Sequence, residues 1–256
     1  MQKIDISFKR IQQLALPAII AGIAEPVLSS TDAAVVGNIA EFGTESLAAV
    51  GIVGTFISTI IWILAQTRSA ISAIISQNLG AGNLKSLTSF PAQAILFNVS
   101  LSFILLFSTY FFIEDILLFL RAEGKILEFS KEYYYIRIWG FPLTLFTFAI
   151  FGLFRGLQNT FWPMIIASIG VFINVGLDFI FVYGLEDFME PMGVKGAAWA
   201  SLIAQLVMAL LALVLVVTKT NISLKLKRKV HPEVKRLISM SFNLFIRSVA
   251  LNIALL

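Results

Sequence analysis

Three carboxylates, Glu25, Asp32 and Asp178, sit inside stretches otherwise apolar enough to cross a bilayer. The other twelve acids lie at the N-terminus or in polar connections. A charged side chain at the centre of a bilayer costs at least about 2.5 kcal/mol, so it persists where it faces a polar cavity or serves ion movement. Glu25 and Asp32 are seven residues apart, which is two turns at about 100° per residue, so one helix presents both on one side. Asn174 precedes Asp178 by four residues and Ser201 precedes Gln205 by four, and each pair shares a helix face. Carboxylate, amide and hydroxyl oxygens together make a hard donor set for a proton or a small cation such as Na⁺. Two like charges at one site also favour uptake of a positive charge. The plainer alternative pairs each acid with an intramembrane base such as Arg68 or Arg247.

The elements that must position these groups follow from composition. The chain has 256 residues, is 58% hydrophobic and only 13% charged, and has a mean hydropathy of +0.90. A soluble domain is about 25% charged, so this is the composition of an all-α, polytopic membrane bundle. A bilayer core about 30 Å thick needs roughly 20 helical residues per crossing. Six such spans are expected near 11–37, 46–79, 89–113, 133–157, 162–184 and 193–217, with a seventh opening near Leu237. The first carries Pro17 and Pro26, each of which removes a helix hydrogen bond and invites a bend. Tyr133, Tyr134, Tyr135 and Trp139 read as an interfacial aromatic belt. The sixth span opens GVKGAAWAS, a run of small residues suited to close helix packing.

Charge sets the expected orientation. The N-terminus carries Lys3, Lys9 and Arg10, and seven Lys/Arg fall between Lys219 and Arg236. The connections after spans 1, 3 and 5 are net acidic. Cations favour the cytoplasmic side, which puts the N-terminus in the cytoplasm of a multi-pass protein of the inner (cytoplasmic) membrane. The run KLKRK at 225–229 is then a topology signal and a contact for anionic membrane lipid, not a nucleic-acid patch. FKRIQQLALPAII at 8–20 is echoed by VKRLISMSFNLFI at 234–246. Secondary transporters are often built from two such halves. The expected division is a six-helix lobe over 1–217, a basic cytoplasmic loop over 218–236, and the start of a second lobe over 237–256.

Several chemistries lack their residues. There is no cysteine, and His231 is the single histidine, so thiolate and imidazole metal clusters are excluded. No P-loop spacing and no Ser/His/Asp or Cys/His set occurs, so neither ATP-driven pumping nor enzyme catalysis is supported.

The stretch LALPAIIAGIAEPVLSSTDAAVVGNI resembles the first helix of the multidrug and toxic compound extrusion (MATE) transporters. SQNLGAGN, FRGLQNT, the Asn174–Asp178 pair and GVKGAAWAS are similar to motifs of their second to sixth helices, and NLFIRSVAL with Arg247 resembles their DinF-like branch. The resemblance implies two six-helix lobes around a central cavity that opens to each side in turn, with this chain as the N-terminal lobe. It implies cation-coupled antiport, with H⁺ or Na⁺ as the ion and no other cofactor. The substrate would be an amphipathic or cationic small molecule, and the full-length protein a monomer. The cation site would use Asp32, Asn174, Asp178 and Ser201, where Ser201 stands in the place of a commoner threonine. Glu25, Gln205 and Arg247 remain candidates for lining the cavity, and Pro17 and Pro26 for bending span 1. The competing reading is a flippase for lipid-linked sugars from the wider superfamily, which would need a cavity rich in cations.

Overall fold

A computed structural model describes residues 7–254 apart from Asp187, with side chains except those of Arg10, Glu25 and residues 251–254. The architecture is all helical. Helix α1 (Phe8–Gly37) runs unbroken through Pro17 and Pro26. Helices α2 (Gly43–Leu64) and α3 (Gln66–Gly80) follow each other with one residue, Ala65, between them. Then come α4 (Phe90–Phe119), α5 (Gly124–Arg137), α6 (Gly140–Gly156), α7 (Phe161–Tyr183), α8 (Val194–Lys219) and α9 (Pro232–Ala254). Among the described residues, five helical stretches are long and apolar enough to cross a membrane, and α5 and α6, bent by 47° at their junction, are so only when taken together, as a broken span or a re-entrant loop. The chain is a multi-pass membrane protein.

The element boundaries depart from the sequence reading in three places. The connection expected over 114–132 shrinks to four residues, 120–123, because α4 extends to Phe119 and α5 begins at Gly124. A 30-residue helix is about 45 Å long, so the last turns of α4 reach past a 30 Å hydrocarbon core and carry Glu114 and Asp115 out with them. The stretch expected as a single fourth span is two helices, α5 and α6, meeting at 47°. The helix expected to open near Leu237 starts earlier, at Pro232, where proline suits a first helical position.

Polar pairs and small residues hold the bundle together. Thr67, beside the Ala65 break, shares its one hydroxyl proton between Leu64 O at 2.8 Å and Asn98 Oδ1 of α4 at 2.5 Å. Both side chains are buried, so the freed backbone group and the amide are satisfied across helices. Gly152 and Gly156 let α6 lie against the backbone of α3. On α8, Gly196, Ala197, Ala198 and Ala200 are buried, as the small-residue run suggests. A Cβ at 196 would stand 2.5 Å from the Phe181 carbonyl oxygen, so glycine is what lets α8 approach α7. Gly184 ends α7 at φ +77°, a conformation glycine adopts readily, and turns the chain back toward α8.

Candidate cation site

Four helices converge on one buried polar cluster. Asp32 comes from α1, Tyr133 from α5, Asn174 and Asp178 from α7, and Ser201 from α8. All five side chains are at most 3% exposed. The α7 pair arrives together because a four-residue step returns to the same face. Ser201 arrives through the close α7–α8 packing that Gly196 permits, five residues earlier in α8.

Donors cluster on Asp32. Tyr133 Oη donates to its Oδ2 at 2.7 Å, and Ser201 Oγ donates to the same oxygen at 2.8 Å. Asn174 Nδ2 donates to Asp32 Oδ1 at 3.2 Å and to Ser201 Oγ at 3.1 Å. The other side of the cluster is the reverse. Asp178 Oδ1, Asp178 Oδ2 and Asn174 Oδ1 are buried and accept no hydrogen bond from a neutral donor, while Asp178 and Asp32 meet carboxyl to carboxyl, a contact that one proton can bridge. Asp178 feels the repulsion of Asp32 and, opposing it, the attraction of Arg137 on α5. Neither Asp32 nor Asp178 forms an ion pair within 4 Å among the described residues; the side chain of Glu25, the third acid, lies outside them. Three bare buried oxygens beside a second carboxylate can take up a proton or a hard monovalent cation. Buried acceptors left without a donor cost about 1–3 kcal/mol each, more when charged, so such a ligand binds against a cost already present.

The remaining candidates fall elsewhere. Gln205, one turn beyond Ser201 on α8, is buried but lies against Gly140 at the start of α6. Arg247 is exposed on α9 and does not reach the cluster. Glu25 lies in α1, with its side chain outside what is described. Pro26 lines two open grooves. One of about 500 Å³ runs between α1 and α2 and is rich in hydroxyls: Ser29, Ser30, Thr55, Ser58 and Thr59, with Trp62. The other, about 470 Å³, lies between α1 and α7.

Tyr133 and Tyr134 are the residues that sequence reasoning assigned otherwise. Both are buried, Tyr133 bonding the site carboxylate and Tyr134 donating to Thr109 Oγ1, whereas Trp139 is 51% exposed as a belt residue would be. The available signal was Arg137, four residues on, which places a cation on the same helix face as Tyr133; its guanidinium lies 5.9 Å from the ring centroid.

Comparison with known proteins agrees with this architecture. Residues 17–180 match the MatE family. The chain is 27% identical over 202 residues to a probable multidrug resistance protein NorM of Thermotoga maritima, covering 78% of this chain and 42% of that protein. It is 27% identical over 253 residues to DNA damage-inducible protein F of Escherichia coli, covering 96% and 53%. The chain therefore spans about half the length of the curated relatives it matches. A solved structure of a MATE protein in the bent conformation superposes with a TM-score of 0.88 at 23% identity, covering 96% of this chain and 54% of that one. An outward-facing multidrug resistance MATE transporter superposes at 0.83 and 22% identity, covering 96% and 54%. By its sequence match, and with a fold to suit, the chain belongs to the MatE family.

Proposed function

We propose that this chain forms the N-terminal lobe of a cation-coupled antiporter that exports amphipathic, often cationic, small molecules by alternating access. The observation that carries the reading is the set of bare oxygens: Asp178 Oδ1 and Oδ2 and Asn174 Oδ1, buried beside Asp32. A proton or Na⁺ bound there neutralises charge that the low-dielectric bundle tolerates poorly. Tyr133, Asn174 and Ser201 hold Asp32 in place for that ion. Because Asp32 sits six residues beyond Pro26, ion occupancy changes the forces on α1 close to a position that has no N–H to give to the helix ladder. The hydroxyl-lined groove at Pro26 supplies one wall of the substrate cavity. The names of the NorM relatives support drug export, and the N-terminus and the basic segment 219–236 lie in the cytoplasm.

The test is transport. Vesicles carrying the full-length protein receive a fluorescent organic cation while either an H⁺ or a Na⁺ gradient is imposed. Accumulation driven by one of the two gradients is expected. No gradient-dependent movement under either would overturn the reading.

A further inference from the structure

A positively charged side chain borders the polar cluster. Arg137 stands four residues after Tyr133 on α5, so the two share a helix face. It is 8% exposed. Its guanidinium lies 5.9 Å from the Tyr133 ring centroid and is hydrogen-bonded to the Tyr133 hydroxyl. Tyr133 Oη in turn donates to Asp32 Oδ2 at 2.7 Å. One hydroxyl therefore links the guanidinium to one site carboxylate, and the guanidinium attracts the other, Asp178. An arginine buried in a membrane bundle is costly and persists where it serves a polar site.

The charge count decides what the cluster can hold. A guanidinium keeps its proton in a protein, so its charge is fixed. Tyr133, Asn174 and Ser201 are neutral donors. Other charges on these helices, and on those packed against α5, are paired or lie at helix ends. Glu132 pairs with Lys195 at 2.9 Å and Glu114 with Lys131 at 2.6 Å, and Glu45 belongs to the first turn of α2. Glu25 is seven residues from Asp32, about 10 Å along α1. Asp32 and Asp178 bring two negative charges and Arg137 one positive, so with both acids ionised the cluster carries one net negative charge. One monovalent cation makes it neutral. A second one, or a single divalent ion, would leave an unbalanced positive charge in a low-dielectric interior. The contact between the two carboxyls fits this count, because a single proton bridges it.

We propose that Arg137 is a built-in counter-charge that sets the cluster to take one monovalent cation and to refuse divalent ions. The proposal rests on the reading of Asp32 and Asp178 as the coupling site, and it names the residue that fixes the charge of that site. Arg137 acts on the ion through its charge, from behind Tyr133, and not as a ligand. Taking that charge away leaves two negative charges, which suit a tighter hold on a monovalent ion and a new affinity for a divalent one.

The test exchanges charges in the full-length protein. The readout is thermal unfolding in detergent, titrated with NaCl, with pH from 8 to 5, and with millimolar CaCl₂, at constant ionic strength. Only the part of each response that Asp32→Asn abolishes is counted. Wild type is expected to respond to one monovalent titration and not to Ca²⁺; a counted Ca²⁺ response in wild type would overturn the proposal without any Arg137 variant. Arg137→Met is expected to bind the coupling cation at least tenfold more tightly and to gain a response to Ca²⁺. Arg137→Lys is expected to keep the wild-type refusal of Ca²⁺. Asp178→Asn leaves no net charge and is expected to stay flat, whereas Asp178→Asn with Arg137→Met restores one negative charge and should respond to the monovalent cation again. A merely structural arginine would give no such rescue. A double variant that melts cooperatively yet stays flat, or an Arg137→Met protein with unchanged affinity and no Ca²⁺ response, would overturn the proposal. If Asp32→Asn abolishes the response while the double variant is not rescued, only the counter-charge fails. If Asp32→Asn responds as wild type does, the cation site itself fails.

Discussion

Replacing Asp178 by asparagine should separate the stability of the site from its use. Both Asp178 oxygens and Asn174 Oδ1 are buried without a neutral donor, and Asp178 faces the Asp32 carboxyl. Asp178→Asn is nearly isosteric, removes one of two repelling carboxylates and brings two N–H donors to a place rich in acceptors. A new hydrogen bond to Asn174 Oδ1 contributes about 0.5–1.5 kcal/mol and one to the Asp32 carboxylate about 1.5–3 kcal/mol. Without added cation the variant should therefore be about 2–4.5 kcal/mol more stable than wild type. Wild type, in contrast, gains stability by binding: about 2.7 kcal/mol when the cation is at a hundred times its Kd. The assay is thermal unfolding in detergent, followed by intrinsic fluorescence, with NaCl exchanged for KCl at constant ionic strength and separately from pH 8 to pH 5. Wild type should rise along one of the two titrations, and Asp178→Asn should start higher and stay flat. A variant that melts below cation-free wild type, or that rises as wild type does, would refute the view that the bare oxygens are a cation site.

Other substitutions should show different signatures. Tyr133→Phe removes one of the two donors to Asp32 Oδ2, so the cation-free fold should lose about 1.5–3 kcal/mol while the response to cation persists in the same melting assay. Gly196→Ala drives a methyl into the Phe181 carbonyl, which is backbone and cannot rotate away; a loss of about 1–3 kcal/mol is expected, together with weaker cation binding as α8 and Ser201 move off α7. Gln93 clamps the basic segment by donating to Lys227 O at 3.1 Å and Lys229 O at 2.9 Å and accepting from His231 N at 2.8 Å. Gln93→Leu should raise hydrogen exchange at the His231 amide by at least tenfold and speed tryptic cleavage at 225–229, since three bonds of about 1 kcal/mol each are lost.

The amino-acid sequence carries the polar cluster in a form that chemistry can read. Asp32 and Asp178 stand out because carboxylates in apolar spans need a reason, and Asn174 follows from its four-residue step to Asp178. Their partners across helices are harder to read. Tyr133 sits in a run of three tyrosines that looks interfacial, yet α5 starts nine residues before it, so Tyr133 is already inside the bundle. The break at Ala65 has no proline or glycine to announce it; its freed carbonyl is met by Thr67, whose hydroxyl also meets Asn98, 31 residues beyond it on α4. The charged stretch 114–132 reads as a loop by composition, while in the structure both its ends are helical and its charges pair: Lys131 with Glu114 at 2.6 Å and Lys125 with Glu128 at 2.9 Å. Gln205 shares a face with Ser201, as spacing requires, but the glycine that decides what it touches, Gly140, lies on another helix.

The central claim is that the Asp32 cluster couples ion entry to export, and Asp32→Asn tests it most directly. Full-length wild-type and Asp32→Asn proteins would be reconstituted at equal density, with equal binding of a fluorescent cationic substrate shown first. Substrate movement would then be followed under an imposed H⁺ or Na⁺ gradient. The account predicts that wild type moves substrate against its own gradient, whereas Asp32→Asn binds substrate but does not respond to the ion gradient. Gradient-driven transport by Asp32→Asn at the wild-type rate would contradict it.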